Sequence, residues 1–136
     1  MTEQAAVYRT RVVELRLPWP DRRLSPNQRG AWQAKLPPKQ EAKLDAYQVG
    51  KSWLGWKPIG NEKLELRLMF FPPDLRRRDI DNLHASLKAA LDGISMGLGI
   101  NDWQFRRTVL EWGAVDKPGY ILVEIVPFVE RGEMPY

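Results

Sequence analysis

The chain has 136 residues, of which 43% are hydrophobic, with six tryptophans, one histidine, no cysteine and a formal net charge of +4. This length and composition suit one globular domain with a real core, and the charge leans mildly toward anionic partners. Absent thiols and a lone imidazole exclude disulfides, thiolate zinc sites and any chelate of two histidines. A bound metal would therefore rest on carboxylates, the chemistry of Mg²⁺ or Mn²⁺.

Residues 7–17 alternate loosely, with Val13, Leu15 and Leu17 on one parity, and predict a first strand closed by Pro18 and Pro20. From Trp19 to Pro38 no apolar period is visible, which predicts a long loop, and loops of that length are often functional. Pro37-Pro38 would then open a helix from Lys39 to about Trp53, with Leu44, Tyr47 and Val49 or Trp53 turned inward. Glu62 to Phe71 alternates as a half-buried strand, ended by Pro72-Pro73. A second helix is expected from about Asn82 to Ile94, with Leu83, Leu87, Ala90, Leu91 and Ile94 on its apolar side. Residues 106–115 and 119–128 read as two strands joined by a hairpin turn at Asp116-Lys117-Pro118-Gly119. The order β-α-β-α-β-β predicts one α+β domain over residues 1–136, with a mixed sheet, two helices and flexible ends at 1–6 and 129–136. The start has no apolar leader core, and no run approaches the ~20 residues of a membrane span, so a soluble cytoplasmic protein without membrane partners is expected.

The chemistry concentrates in Arg76-Arg77-Arg78-Asp79-Ile80-Asp81-Asn82, with a further acid at Asp102. Hard divalent ions need several oxygen ligands, and a polyanionic substrate needs nearby cations. With Asp81 at or near the helix N-cap, His84 and Lys88 fall within roughly 60° of it, and Asp92 returns to the same side. Asp79 lies two residues upstream, placed to share a cation with Asp81. Asp102 enters the next strand, which can pack beside the second and supply a third carboxylate. Such a cluster suits metal-assisted phosphodiester hydrolysis, with Lys88 holding the scissile phosphate. The same spacing equally fits an ordinary capped helix with a solvated acidic face.

The Asp79-x-Asp81-Asn82-Leu83 motif, the following helical Lys88, the later Asp102 and the N-terminal Leu17-Pro18-Trp19-Pro20 with Leu24-Ser25-Pro26-Asn27 resemble the RusA family of Holliday junction resolvases, phage-type members in particular. The resemblance runs from about residue 12 to 128. It implies a RusA-like fold and a Mg²⁺-dependent, homodimeric endodeoxyribonuclease that cuts four-way DNA junctions in recombination and repair, in a bacterium or a phage within one. It also implies that Asp79, Asp81 and Asp102 bind metal and that Lys88 is the catalytic lysine. In the family pattern that lysine follows the second Asp by four residues, a position held here by Ala85. Arg76, Arg77, Arg78, Asn27, Arg29 and Lys35 are the expected DNA contacts, and Asn82, His84 and Asp92 are secondary site residues. Two other functions fit the same residues. One is a broader endonuclease for branched or flapped DNA. The other is a non-catalytic nucleic-acid-binding module whose acids are helix caps.

Overall fold

The computed structural model describes residues 11–26 and 32–131. Its elements are β1 (Val13–Pro18), α1 (Trp32–Lys51), β2 (Leu64–Phe71), α2 (Ile80–Ser86), α3 (Lys88–Leu98), β3 (Phe105–Trp112) and β4 (Tyr120–Pro127), with single 3-10 turns at Arg22–Leu24 and Asp102–Gln104. The strands form one mixed sheet in the order β1-β4-β2-β3. β2 and β3 run parallel, and β4 is antiparallel to both β1 and β2. This is an α+β domain. The expected strand at 7–17 is described from residue 11 onward, and the predicted flexible ends lie mostly outside the described residues. No helix among the described residues is long and apolar enough to cross a membrane.

Period-two alternation builds the core. Val13, Leu15 and Leu17 of β1, Leu64, Leu66, Leu68 and Phe70 of β2, and Ile121, Val123 and Ile125 of β4 are all buried. They share that core with Leu87, Ala90, Ile94 and Leu98 from the helices. Ile121, Val123 and Ile125 are thus core residues. Trp112 is exposed and Tyr120 half-buried.

The expected hairpin does not form. The Asp116–Gly119 turn is present, with Gly119 N–H donating to Asp116 O at 2.7 Å, but β2 lies between the strands it joins. Burial explains the order. β4 alternates buried and half-buried residues and takes a central slot, whereas β3 carries Arg106, Arg107, Thr108 and Glu111 and sits at the edge.

The first helix also differs from expectation. It starts at Trp32, with Pro37 and Pro38 inside it, so the loop after β1 is shorter than the pattern suggests. Proline's fixed φ is itself helical, but both residues lie past the first turn, so each gives up an i→i−4 donor and crowds the carbonyl four residues back. Leu44 is 63% exposed, whereas Ala46 is 1% exposed and Pro38 and Gly50 are buried. The inward stripe is made of small residues because α1 and α3 approach almost backbone to backbone. A Cβ on Gly93 would lie 2.2 Å from Lys43 O, and one on Gly97 would lie 2.5 Å from Tyr47 O. The second predicted helix is two helices. Leu87, with φ −90° and ψ −1°, ends α2 and precedes α3, and its N–H donates to His84 O.

On the sheet face away from the helices, Glu65 is 5% exposed and accepts from Arg67 Nε at 2.5 Å and from Arg107 Nη1 at 2.6 Å. Burial pushes its carboxyl up, but the two guanidinium bonds outweigh this and hold it below the ordinary value. A depressed carboxylate stabilises the fold above its unfolded pKa, and that contribution is lost as pH falls through the folded value. Glu65→Gln is therefore expected to destabilise the protein most at neutral pH, with the gap closing as pH drops through the carboxylate range. Thermal melts of both proteins at pH 7 and at low pH check this. A pH-independent gap would make Glu65 a packing group only.

Candidate active site

Pro72 and Pro73 end β2, and the following loop is organised by its own charges. The Asp74 carboxylate accepts from Arg76 N–H at 2.9 Å and from Arg78 Nη2 at 2.7 Å. Those bonds, the Arg76 N–H first, hold its carboxyl below the usual range. Arg78 also donates from Nη1 to Asp74 O and Arg76 O, and its guanidinium lies 5.3 Å over the Trp19 ring. Only 11% of the Arg78 side chain is exposed. The triple arginine is therefore not one basic run. Arg78 clamps the loop, whereas Arg76 and Arg77 are exposed and form no ion pair among the described residues.

The clamp delivers the chain to α2. Asp79, not Asp81, is the N-cap: its Oδ1 accepts from Asp81 N–H at 2.9 Å. Asp81 is the second helical residue. The two acids diverge. Asp79 and Asn82 line a cavity with Trp19, Arg22, Arg76 and Arg78. Asp81 lines a neighbouring cleft of about 380 Å³ with His84, Lys88, Asp92 and Asp102. The parallel pairing of β2 with β3 makes this cleft, because it carries the turn that opens β3, and Asp102 with it, opposite the α2–α3 arm. Leu66 and Phe105 form part of the wall. The polar face expected for Asp81, His84, Lys88 and Asp92 is thus assembled, even though the helix breaks at Leu87. Asp81, Lys88 and Asp102 are exposed, and His84 and Asp92 are half-buried.

Lys88 and Asp92 also line an adjoining cavity of about 300 Å³ with Lys35, Lys39, Ser25 and Ala85. Lys39 was not among the expected contacts. Its i, i+4 spacing from Lys35 places both on one side of α1, a signal hidden by starting the helix at Lys39. Asn27 and Arg29 lie outside the described residues.

Among the described residues, no three or more acids or imidazoles are gathered closely enough to hold a metal ion. The donor set nonetheless suits Mg²⁺, an ion that keeps several waters and is usually bound through one or two carboxylates plus substrate phosphate oxygens. Asp81, Asp92 and Asp102 supply such oxygens to one cleft.

No family model matches the chain. Over 119 residues, 86% of this chain and 78% of its relative, it is 31% identical to a protein of Xylella fastidiosa (strain Temecula1 / ATCC 700964) described as "Uncharacterized protein". The chain belongs to that protein's family. Wherever it begins, a match over 86% of the chain takes in β2, the α2–α3 arm and β3.

The division between clamp and free cations predicts a split in salt dependence. Lys35→Ala, Lys39→Ala, Arg76→Ala and Arg77→Ala are each expected to lower the log–log salt slope of duplex binding by about 0.9 for each phosphate no longer neutralised. Arg78→Ala is expected to lower the melting temperature instead. Anisotropy titrations across a salt series read the first effect and thermal melts the second. Unchanged slopes in the four variants would mark those cations as solvated surface.

Proposed function

We propose that the protein is a RusA-like, Mg²⁺-dependent endodeoxyribonuclease that resolves four-way DNA junctions by paired incisions, acting as a homodimer in a bacterial cytoplasm. The observation that supports this best is the cleft joining Asp81, His84, Lys88 and Asp92 of the α2–α3 arm to Asp102 of the following turn. These residues come from separate segments, and the sequence alone marks them as one chemical group. In this reading Asp81 and Asp102 would bring one or two carboxylates to the ion, with waters and substrate phosphate oxygens as the other ligands. When bound, Mg²⁺ supplies a lowered pKa for a water and neutralises a phosphoryl oxygen. Lys88 sits between the acid cleft and the lysine-lined cavity and places a positive charge on the scissile phosphate. Lys35 and Lys39 extend that charge along the strand, and Asp79 serves the site by fixing the start of α2. A two-fold dimer would present two such clefts to the symmetry-related strands of a junction.

Cleavage of a fixed four-way junction, a nicked duplex and a flap, with Mg²⁺ or with EDTA, tests the reading. Metal-dependent, paired cuts confined to the junction support a resolvase. Equal cutting of the flap shifts the activity to a broader branched-DNA nuclease. One observation favours a different class: Asp79 is engaged as a helix cap, as it would be in a non-catalytic nucleic-acid-binding module. Junction binding without any cleavage, in the presence of Mg²⁺, would establish that alternative.

A further inference from the structure

Trp103 follows Asp102 directly and is 55% exposed. The other tryptophans whose side chains are described are all engaged. Trp19 meets Phe70 edge-on, Trp53 donates from Nε1 to Trp56 O, Trp56 lies under Arg11, and Trp112 packs on Phe70. Trp103 has no ring contact and no hydrogen bond among the described residues. Its exposure is imposed by a rigid turn. Gln104, 1% exposed, accepts from Asn101 N–H through Oε1 and donates from Nε2 to Glu62 O, both at 2.9 Å. With Gln104 pinned inward, the indole is held out beside the acid that lines the cleft.

A second group stands close by. Leu64 pairs with Phe105 and Glu65 with Arg107, so Arg106 is left without a partner where the register of the edge strand β3 shifts, as at a bulge. Bulges re-aim side chains. Arg106 is exposed and has no ion pair or ring contact among the described residues. An indole directly after Asp102 and a guanidinium three residues further on are therefore both exposed and unengaged where the edge strand begins.

We infer that Trp103 and Arg106 form a subsite for an unpaired nucleotide next to the scissile phosphate, with the indole stacking on the base and the guanidinium meeting its phosphate. This rests on the nuclease reading above and adds the substrate element that the cleft engages. Every base has a π-face, so an aromatic platform accepts any sequence. Bases at a branch point are cheaper to unstack than those inside a duplex, so the platform favours branched over continuous DNA.

The test uses the full chain in EDTA, with anisotropy on a fluorescent oligo(dT) strand and on a duplex of equal length, alongside junction cleavage in Mg²⁺. Trp103→Ala is expected to weaken oligo(dT) binding by about five- to 150-fold, the range set by loss of one base–aromatic stack. Duplex binding should stay within about twofold, Trp103→Phe should restore most of the affinity, and Leu54→Ala, a change at a side chain 97% exposed, should change neither. Equal losses on both DNAs, no loss, or a Phe variant as weak as Ala would overturn the subsite. If wild type cuts the junction while Trp103→Ala binds oligo(dT) as wild type does, the subsite alone fails. If wild type neither cuts nor binds DNA, the parent reading falls with it.

Discussion

Asp102→Asn is expected to abolish Mg²⁺-dependent junction cleavage while leaving the melting temperature within about a degree of wild type. Asp102 is exposed at the start of a one-turn helix whose pinning bonds are made by Asn101 and Gln104, not by its own carboxylate. Neutralising it removes a hard oxygen from the cleft and little from the fold. The same result is expected for Asp81→Asn, which lines the cleft from the opposite arm. Under the proposed mechanism the loss would exceed the factor of about 10²–10³ typical of removing one transition-state hydrogen bond, because both the ion and its water would be misplaced. Junction affinity should hold or rise, since negative charge is removed beside phosphates. Asp79→Asn separates the roles further. Asparagine still caps a helix, so if Asp79 only fixes α2, that variant keeps most activity, whereas full loss would place its carboxylate on the ion. Gel assays of cleavage, paired with melts and binding curves, decide each case. Near-normal turnover in Asp102→Asn would remove that acid from the site.

Gly93→Ala is expected to destabilise the protein by about 3 kcal/mol, the upper part of the range for overpacking a core. The direction is diagnostic. In an exposed helix the same change would stabilise by up to about 1 kcal/mol through helix propensity. Here the new methyl meets Lys43 O at 2.2 Å and Tyr47 N at 3.0 Å, both backbone atoms, so α1 and α3 must separate to admit it. A fall of about 10 °C in Tm follows from that cost for a domain of this size. An unchanged or raised Tm would show that the helices are not in close contact at this point.

Local pattern carried a reader of this sequence furthest where one face of an element met one environment. The alternation of Leu64, Leu66, Leu68 and Phe70 fixes the buried face of β2, and the spacing of Asp81, His84, Lys88 and Asp92 anticipates one wall of the cleft. The packing of α1 was hidden because its buried stripe is Pro38, Ala46 and Gly50, residues a hydrophobicity pattern ignores, while Leu44 points to solvent. The strand order was hidden because Asp116–Gly119 has the chemistry of a hairpin turn, and a turn does not reveal which strand lies beside it. Asp79 and Asp81 look equivalent in sequence. They separate only because a cap turns its side chain back onto the backbone, whereas the second helical residue projects its side chain outward. The role of Arg78 needed Asp74 and Trp19, one of them distant in sequence, to become visible.

The break at Leu87 has a consequence for how this arm tolerates change in length. In an unbroken helix, three inserted residues would turn everything downstream by about 300° and swing its apolar side out of the core. Here Leu87 is anchored in the core at 2% exposure, and α3 restarts from it with Leu91 N–H donating back to Leu87 O at 2.8 Å. The orientation of α3 is thus set from the joint onward and not inherited from α2. A length change ahead of the joint is therefore expected to shift α2 and leave Ala90, Ile94 and Leu98 in their seats.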